Sequence, residues 1–173
     1  AGAYITNTTP AIEFQVKDTD SGVNAGTIAV TVDGTVVSTV TKTAIDGGYK
    51  CTCTSPTLKD GSHTISVKAS DNDGNAAAAK TATFTVDTVP PTLQITAPSN
   101  NLITNKKTVT VSGKTDDVSS KPVTVTVNGA TVTVGTDGTF TKDVTLAEGA
   151  NTITIVAKDK AGKTFIIAVE ITD

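Results

Sequence analysis

Apolar and polar side chains alternate along most of this chain. Ile12, Phe14 and Val16 alternate with Glu13, Gln15 and Lys17. Ile28, Val30 and Val32 alternate with Thr27, Ala29 and Thr31, and Ile65, Val67 and Ala69 with Thr64, Ser66 and Lys68. The same rhythm runs through Ala82, Phe84 and Val86, then Val109 and Val111, and Val123, Val125 and Val127. It returns in Ile153, Ile155 and Ala157 and in Phe165, Ile167, Val169 and Ile171. A period of two with one apolar face predicts strands half-buried against a second sheet. The inward positions Phe14, Ile65, Val67, Val125, Ile153 and Ile155 are expected to be nearly fully buried. Asp33-Gly34 and Asn128-Gly129 stand between alternating runs and predict tight hairpin turns. Only Asn75 to Lys80, with Ala76 to Ala79, has a helix-favouring composition. That stretch is too short to meet the nucleation cost of a helix, and none is expected.

The pattern repeats. Asp60-Gly61-Ser62-His63-Thr64-Ile65 matches Glu148-Gly149-Ala150-Asn151-Thr152-Ile153 at an offset of 88, which continues to Asp71 and Asp159 and to Gly74 and Gly162. Asp46-Gly47-Gly48-Tyr49 matches Asp137-Gly138-Thr139-Phe140 at 91, and Val32-Asp33-Gly34 matches Val127-Asn128-Gly129 at 95. The shrinking offset means extra loop residues in the first copy. Val86-Asp87-Thr88-Val89-Pro90-Pro91 ends one apolar run and opens another, and its two prolines cannot extend a strand interior. Two domains follow, residues 1–88 and 89–173. Each holds about seven strands at roughly 8–12-residue spacing, which predicts an all-β chain of two immunoglobulin-like β-sandwiches. The short, proline-stiffened linker and the direction of the strands predict sandwiches arranged end to end.

Composition fits this reading. Threonine makes up about a fifth of the 173 residues. On a wet strand face it keeps β-branched stiffness while offering a hydroxyl to water. Lys and Arg total 14 against 17 Asp and Glu, a net charge of −3 spread evenly, which argues against nucleic acid as a partner. No run approaches the about 18–20 apolar residues of a membrane span, so no membrane insertion is expected. No basic, then apolar, N-terminal stretch reads as a signal peptide. Methionine is absent, and a chain that does not begin with it reads as a fragment of a longer one.

Little reads as chemistry. His63 is the sole histidine, its repeat partner is Asn151, and no nucleophile recurs beside it. Cys51 and Cys53, two apart on a strand, share a face with Tyr49. The repeat pairs Tyr49 with Phe140 and Cys53 with Val144, so both cysteines are expected to be small buried hydrophobes rather than a disulfide or a metal pair. Unpaired thiols fit a virion protein assembled in cytoplasm slightly better than an exported adhesin. The acidic loops Asp18-Thr19-Asp20-Ser21-Gly22 and Asp71-Asn72-Asp73-Gly74-Asn75 are expected at one end of the first sandwich. Asp18, Asp20, Asp71 and Asp73 are the candidate calcium ligands there. Turn chemistry explains the same residues without an ion, and that is the expectation. Copy two carries Asp116, Asp117 and Asp159 at the matching end with Lys160 and Lys163 added, a diluted pattern. No cofactor is expected.

Pro122 to Gly129, Gly135 to Phe140, Leu146 to Ile153 and Ala157 to Gly162 together resemble the bacterial Ig-like modules found beside glycosidases, in particular the Ig-like module of glucodextranase. Through Ser21-Gly22-Val23, Val32-Asp33-Gly34 and Ala69 to Asn75, the first copy resembles the broader bacterial Ig-like family. The resemblance covers nearly the whole chain. It implies fold, and it transfers no functional residue, since the family has no shared site. It also implies a non-catalytic structural spacer or display tandem in a larger bacterial surface or phage virion protein, placed outside the cell, on its surface or in a virion. Its partners would then be the flanking domains of a longer chain, with a cell-surface glycan or protein possible. The alternative is an adhesive or carbohydrate-binding accessory module. Against that stands the shortage of aromatic residues, 3% of the chain, that could form sugar-binding platforms.

Overall fold

The computed structural model describes residues 2–173. Among them every regular element is a strand, and no helix is long and apolar enough to cross a membrane. The chain divides into one compact unit ending at Asp87 and a second of Thr88–Asp173.

Domain one holds β1 (Ala3–Ile5), β2 (Ala11–Lys17), β3 (Val23–Val32), β4 (Thr35–Val36), β5 (Thr41–Ile45), β6 (Gly48–Thr54), β7 (Gly61–Asp71) and β8 (Lys80–Val86). One sheet runs β1-β8-β7-β3-β4 and the other β2-β6-β5. Domain two holds β9 (Thr92–Ala97), β10 (Leu102–Ile103), β11 (Thr108–Asp116), β12 (Thr124–Val127), β13 (Ala130–Val132), β14 (Thr139–Thr145), β15 (Ala150–Lys158) and β16 (Thr164–Thr172). Its sheets run β10-β16-β15-β12-β13 and β14-β11-β9. Each five-stranded sheet has the same build, with a short first strand parallel to the last strand and antiparallel pairing elsewhere. The two predicted hairpins are present. Asp33 and Asn128 take φ of 50° and 47°, and Gly34 and Gly129 take 80° and 79°, the left-handed pair that a two-residue turn needs. The alanine stretch forms no helix; Ala76 instead makes a single bridge to Ser70.

The three-stranded sheets differ. In domain two the central strand β11 is paired on both sides, by β14 and β9. In domain one β6 is central, β5 lies on its far side, and β2 is left as an edge. Packing follows this difference. Fourteen buried residues of domain two form one continuous core around Val111, Val125, Ile153 and Ile155. Domain one has two smaller clusters, one around Val30, Val32 and Val86 and one around Ile28, Cys51 and Ala69, with Phe14 and Val40 touching both. Val125, Ile153 and Ile155 are buried as expected. Phe14, Ile65 and Val67 are only half-buried, contrary to expectation, because among the described residues no strand covers the outer edge of β2.

The repeat is also out of step at one point. Asp33 donates its N–H to Thr64 O and accepts the Thr64 N–H on its side chain, and Asn128 does the same with Thr154, an offset of 90 rather than the 88 of the sequence match. The difference is taken up where β3 bulges between Asn24 and Ala29. A two-residue slip leaves every side chain on its own face, so the alternation does not reveal it.

Candidate functional site

The two acidic loops of domain one do meet. The Asn72 backbone N–H donates to Gly22 O at 3.0 Å, and its side-chain amide donates to Ser21 O at 2.9 Å. The carboxylates between them are occupied locally. Asp18 Oδ1 accepts the Asp20 N–H at 3.0 Å and its Oδ2 the Ser21 hydroxyl at 3.2 Å. Asp71 Oδ1 accepts the Asn75 N–H at 2.7 Å and Oδ2 the Asn75 side-chain amide at 2.8 Å. These bonds, the Asn75 side-chain one foremost, hold the Asp71 carboxyl below its ordinary range. Among the described residues Asp18, Asp20, Asp71 and Asp73 form no set of three ligand atoms within 4.8 Å. The arrangement is that of two Asx-type turns stitched together by Asn72.

Domain two gathers acidic groups more deeply. Asp117 and Asp159 are both buried, and each offers a carboxylate oxygen within 4.8 Å of the other. Asp117 Oδ1 accepts the N–H groups of Ser119 and Ser120 at 2.8 and 2.6 Å, and Asp159 Oδ1 accepts the Lys163 N–H at 2.8 Å. Both carboxylates thus close the loops in which they stand. Asp116, beside them, is exposed and pairs with Lys121 at 2.7 Å.

His63 lies on β7, buried, with its ring centroid 5.5 Å from that of Phe84. Its Nδ1 is 2.6 Å from Asp33 Oδ2 and its Nε2 is 2.8 Å from the Lys59 carbonyl. Both partners are acceptors, so both ring nitrogens donate, and the imidazolium is the form that satisfies the site. Burial alone would lower the His63 pKa. The bonds to Asp33 and to Lys59 O outweigh it and raise the pKa above its ordinary 6.5. The His63 bond in turn lowers the pKa of Asp33. Asp33 also caps the turn, accepting the Thr64 N–H at 2.8 Å, as Asn128 does for Thr154 in domain two. His63 is therefore a strut between a hairpin turn and β7. The sequence signal was the exchange of Asp33 for Asn128 at matched turns, and reading His63 against Asn151 missed it.

Cys51 and Cys53 are free thiols, buried as expected, and burial raises both pKa values. That makes them poor nucleophiles.

Two family models match the chain end to end. Residues 2–88 match the bacterial Ig-like domain, and residues 91–173 match domain B of glucodextranase. The chain belongs to the bacterial Ig-like domain family. This Ig-like tandem is similar to bacillopeptidase F of Bacillus subtilis (strain 168), with 34% identity over 122 residues, 70% of this chain and 8% of that protein. It therefore spans a small part of that relative's length. Among solved structures it is similar to the fibronectin(III)-like modules of CbhA from Clostridium thermocellum, at TM-score 0.53 and 19% identity, covering 99% of this chain and 89% of that one. It is also similar to a three-domain immunoglobulin fragment of titin, at TM-score 0.56 and 11% identity, covering 99% and 62%. At such identities the likeness is one of fold alone.

Proposed function

We propose that this Ig-like tandem is a non-catalytic structural spacer within a larger bacterial protein that works outside the cell. One observation carries the reading: the side chains that could do chemistry are used to hold the fold. His63 and Asp33 fasten a turn to a strand, and Asp71, Asp117, Asp137 and Asn151 each bond backbone within their own loops. The 8% share of a long peptidase relative supports the larger-protein part of the reading. A cell-surface or virion setting fits equally with a display role, and the flanking domains of the longer chain are its partners.

The test is a swap. An unrelated Ig-like pair of the same length, put in place of these residues in the parent protein, leaves the parent's activity and display unchanged, whereas deletion impairs them. A swap that fails while the chimera still folds and is displayed would overturn the spacer reading. A glycan array giving specific binding by the isolated tandem would favour the adhesive alternative instead.

A further inference from the structure

We propose that Asp117, Asp159 and Ser120 form a calcium site in domain two, where the loop between β11 and β12 meets the loop between β15 and β16. The inference goes beyond the spacer reading and holds whatever the parent protein does. Asp117 and Asp159 are 6% and 4% exposed, and each offers a carboxylate oxygen within 4.8 Å of the other. Two buried like charges so close repel each other and call for a counter-charge. Lys121 at this end is paired with the exposed Asp116, and Lys160 is itself exposed.

A second observation points to the same place. Ser120 is 0% exposed, and its hydroxyl oxygen is buried with no hydrogen-bond partner among the described residues. Native interiors seldom leave a hydroxyl so. Its residue is pinned between the two acidic loops. The Ser120 N–H donates to Asp117 Oδ1 at 2.6 Å, and Ser120 O accepts the N–H of Lys160, the neighbour of Asp159, at 3.2 Å. The hydroxyl is thus enclosed by the loops that carry the two carboxylates. A cation there gives its oxygen the partner that the protein does not.

The backbone sets these ligands in place. Asp117 Oδ1 is held by the Ser119 and Ser120 N–H groups, and Asp159 Oδ1 by that of Lys163. Domain one differs at the matching position. There Asp71 gives one oxygen to the Asn75 N–H and the other to the Asn75 side-chain amide, whereas Lys163 bonds Asp159 through its N–H. The donors are all oxygens, and two of them on one calcium ion, each at about 2.3–2.6 Å, stand up to about 5 Å apart. The carboxylate oxygens lie within that reach. Loop carbonyls and water supply the remaining ligands that calcium takes. Domain two has neither Cys nor His, so it offers zinc no soft ligand.

The experiment titrates calcium into the full chain after chelation, and follows it with calorimetry and amide exchange. Calcium should bind with a measurable heat and raise the domain-two transition by about 5–15 °C. Exchange of the Ser119, Ser120 and Lys163 N–H groups should slow by at least about tenfold. Asp117→Asn with Asp159→Asn keeps an acceptor for each loop bond and removes both charges. That double variant, folded, should lose the heat, the shift and the slowing together. Ser120→Ala keeps the backbone bonds and should weaken calcium by about tenfold. A wild-type chain that gives no heat and no change in domain two overturns the proposal, as does a response that survives the double Asn substitution. A response lost instead from Asp18→Asn with Asp71→Asn assigns the ion to the loops of domain one and overturns it as well.

Discussion

The two domains share a chain pattern and a sheet plan, yet only one has a single core. Domain two closes its three-stranded sheet with β9 and buries fourteen residues in one cluster. Domain one carries β5 on the other side of β6, leaves β2 at the edge and divides its core in two. The residues are not the cause. Phe14, Ile65 and Val67 are as apolar as their counterparts, and a floor without a covering strand stays wet however apolar it is. Burial is set by which strands are present as much as by which side chains point inward.

The sharpest way to break this comparison is to cut the same group from both floors. Ile155→Ala removes buried methylenes from the continuous core, where Ile155 is 0% exposed, and should cost about 2–5 kcal/mol. At roughly 4–8 °C per kcal/mol, the domain-two transition should fall by at least about 8 °C. Its structural counterpart Ile65→Ala should cost about 1–2 kcal/mol, because the half-buried side chain has less area to lose and leaves no closed cavity. Calorimetry of the full chain with each variant checks it. Equal losses in the two domains would mean that Ile65 is as well covered in solution as Ile155.

Much of this was legible in the sequence, for definite reasons. Strict alternation made the strands visible, and Asp-Gly and Asn-Gly placed both hairpins. The Cys53–Val144 match placed both thiols inside, since the repeat compares like faces. Two things were hidden. The slip between Thr64 and Thr154 preserves facing, so a period-two pattern is blind to it. The uncovered edge of β2 is a property of pairing, and nothing in Ile12 to Lys17 says whether a neighbour lies beyond. As for sites, the meeting of the two acidic loops followed from strand order. The fate of their carboxylates did not, because Asp next to Asn, Ser and Gly serves a turn or an ion equally well on paper.

A smaller effect separates the domains by pH. The raised His63 pKa gives domain one stabilisation that is fully present below the ordinary value of 6.5 and is lost as pH rises through the folded value. The lowered Asp33 pKa gives stabilisation present above the ordinary 3.8 and lost as pH falls through its folded value. Asp33's side chain is 45% exposed, so water screens the pair, and about 0.5–1 kcal/mol is at stake. Between about pH 6 and pH 9 the domain-one transition should therefore drop by about 2–8 °C. Domain two, with Asn128 at the matching turn, should lack this component. His63→Gln should abolish the slope in domain one; a slope that survives the substitution would remove His63 from the account.

The smallest expected effect is none at all. If Asp18, Asp20, Asp71 and Asp73 bound calcium, an ion at a hundredfold excess over its Kd would add about 2.7 kcal/mol to domain one. That is a rise of roughly 10–20 °C, too large to miss. The four carboxylates do not converge on one point, and the bonds from Asp20, Ser21 and Asn75 fix where those of Asp18 and Asp71 stand. To bind an ion the loops would have to rearrange around it, against the turns that hold them. Scans of the full chain in millimolar Ca²⁺ and in chelator should therefore superimpose over the domain-one transition. A chelator-sensitive rise there would show that the loops do rearrange to bring the carboxylates around an ion. The acidic end of domain one would then be a binding site rather than a pair of fastened turns.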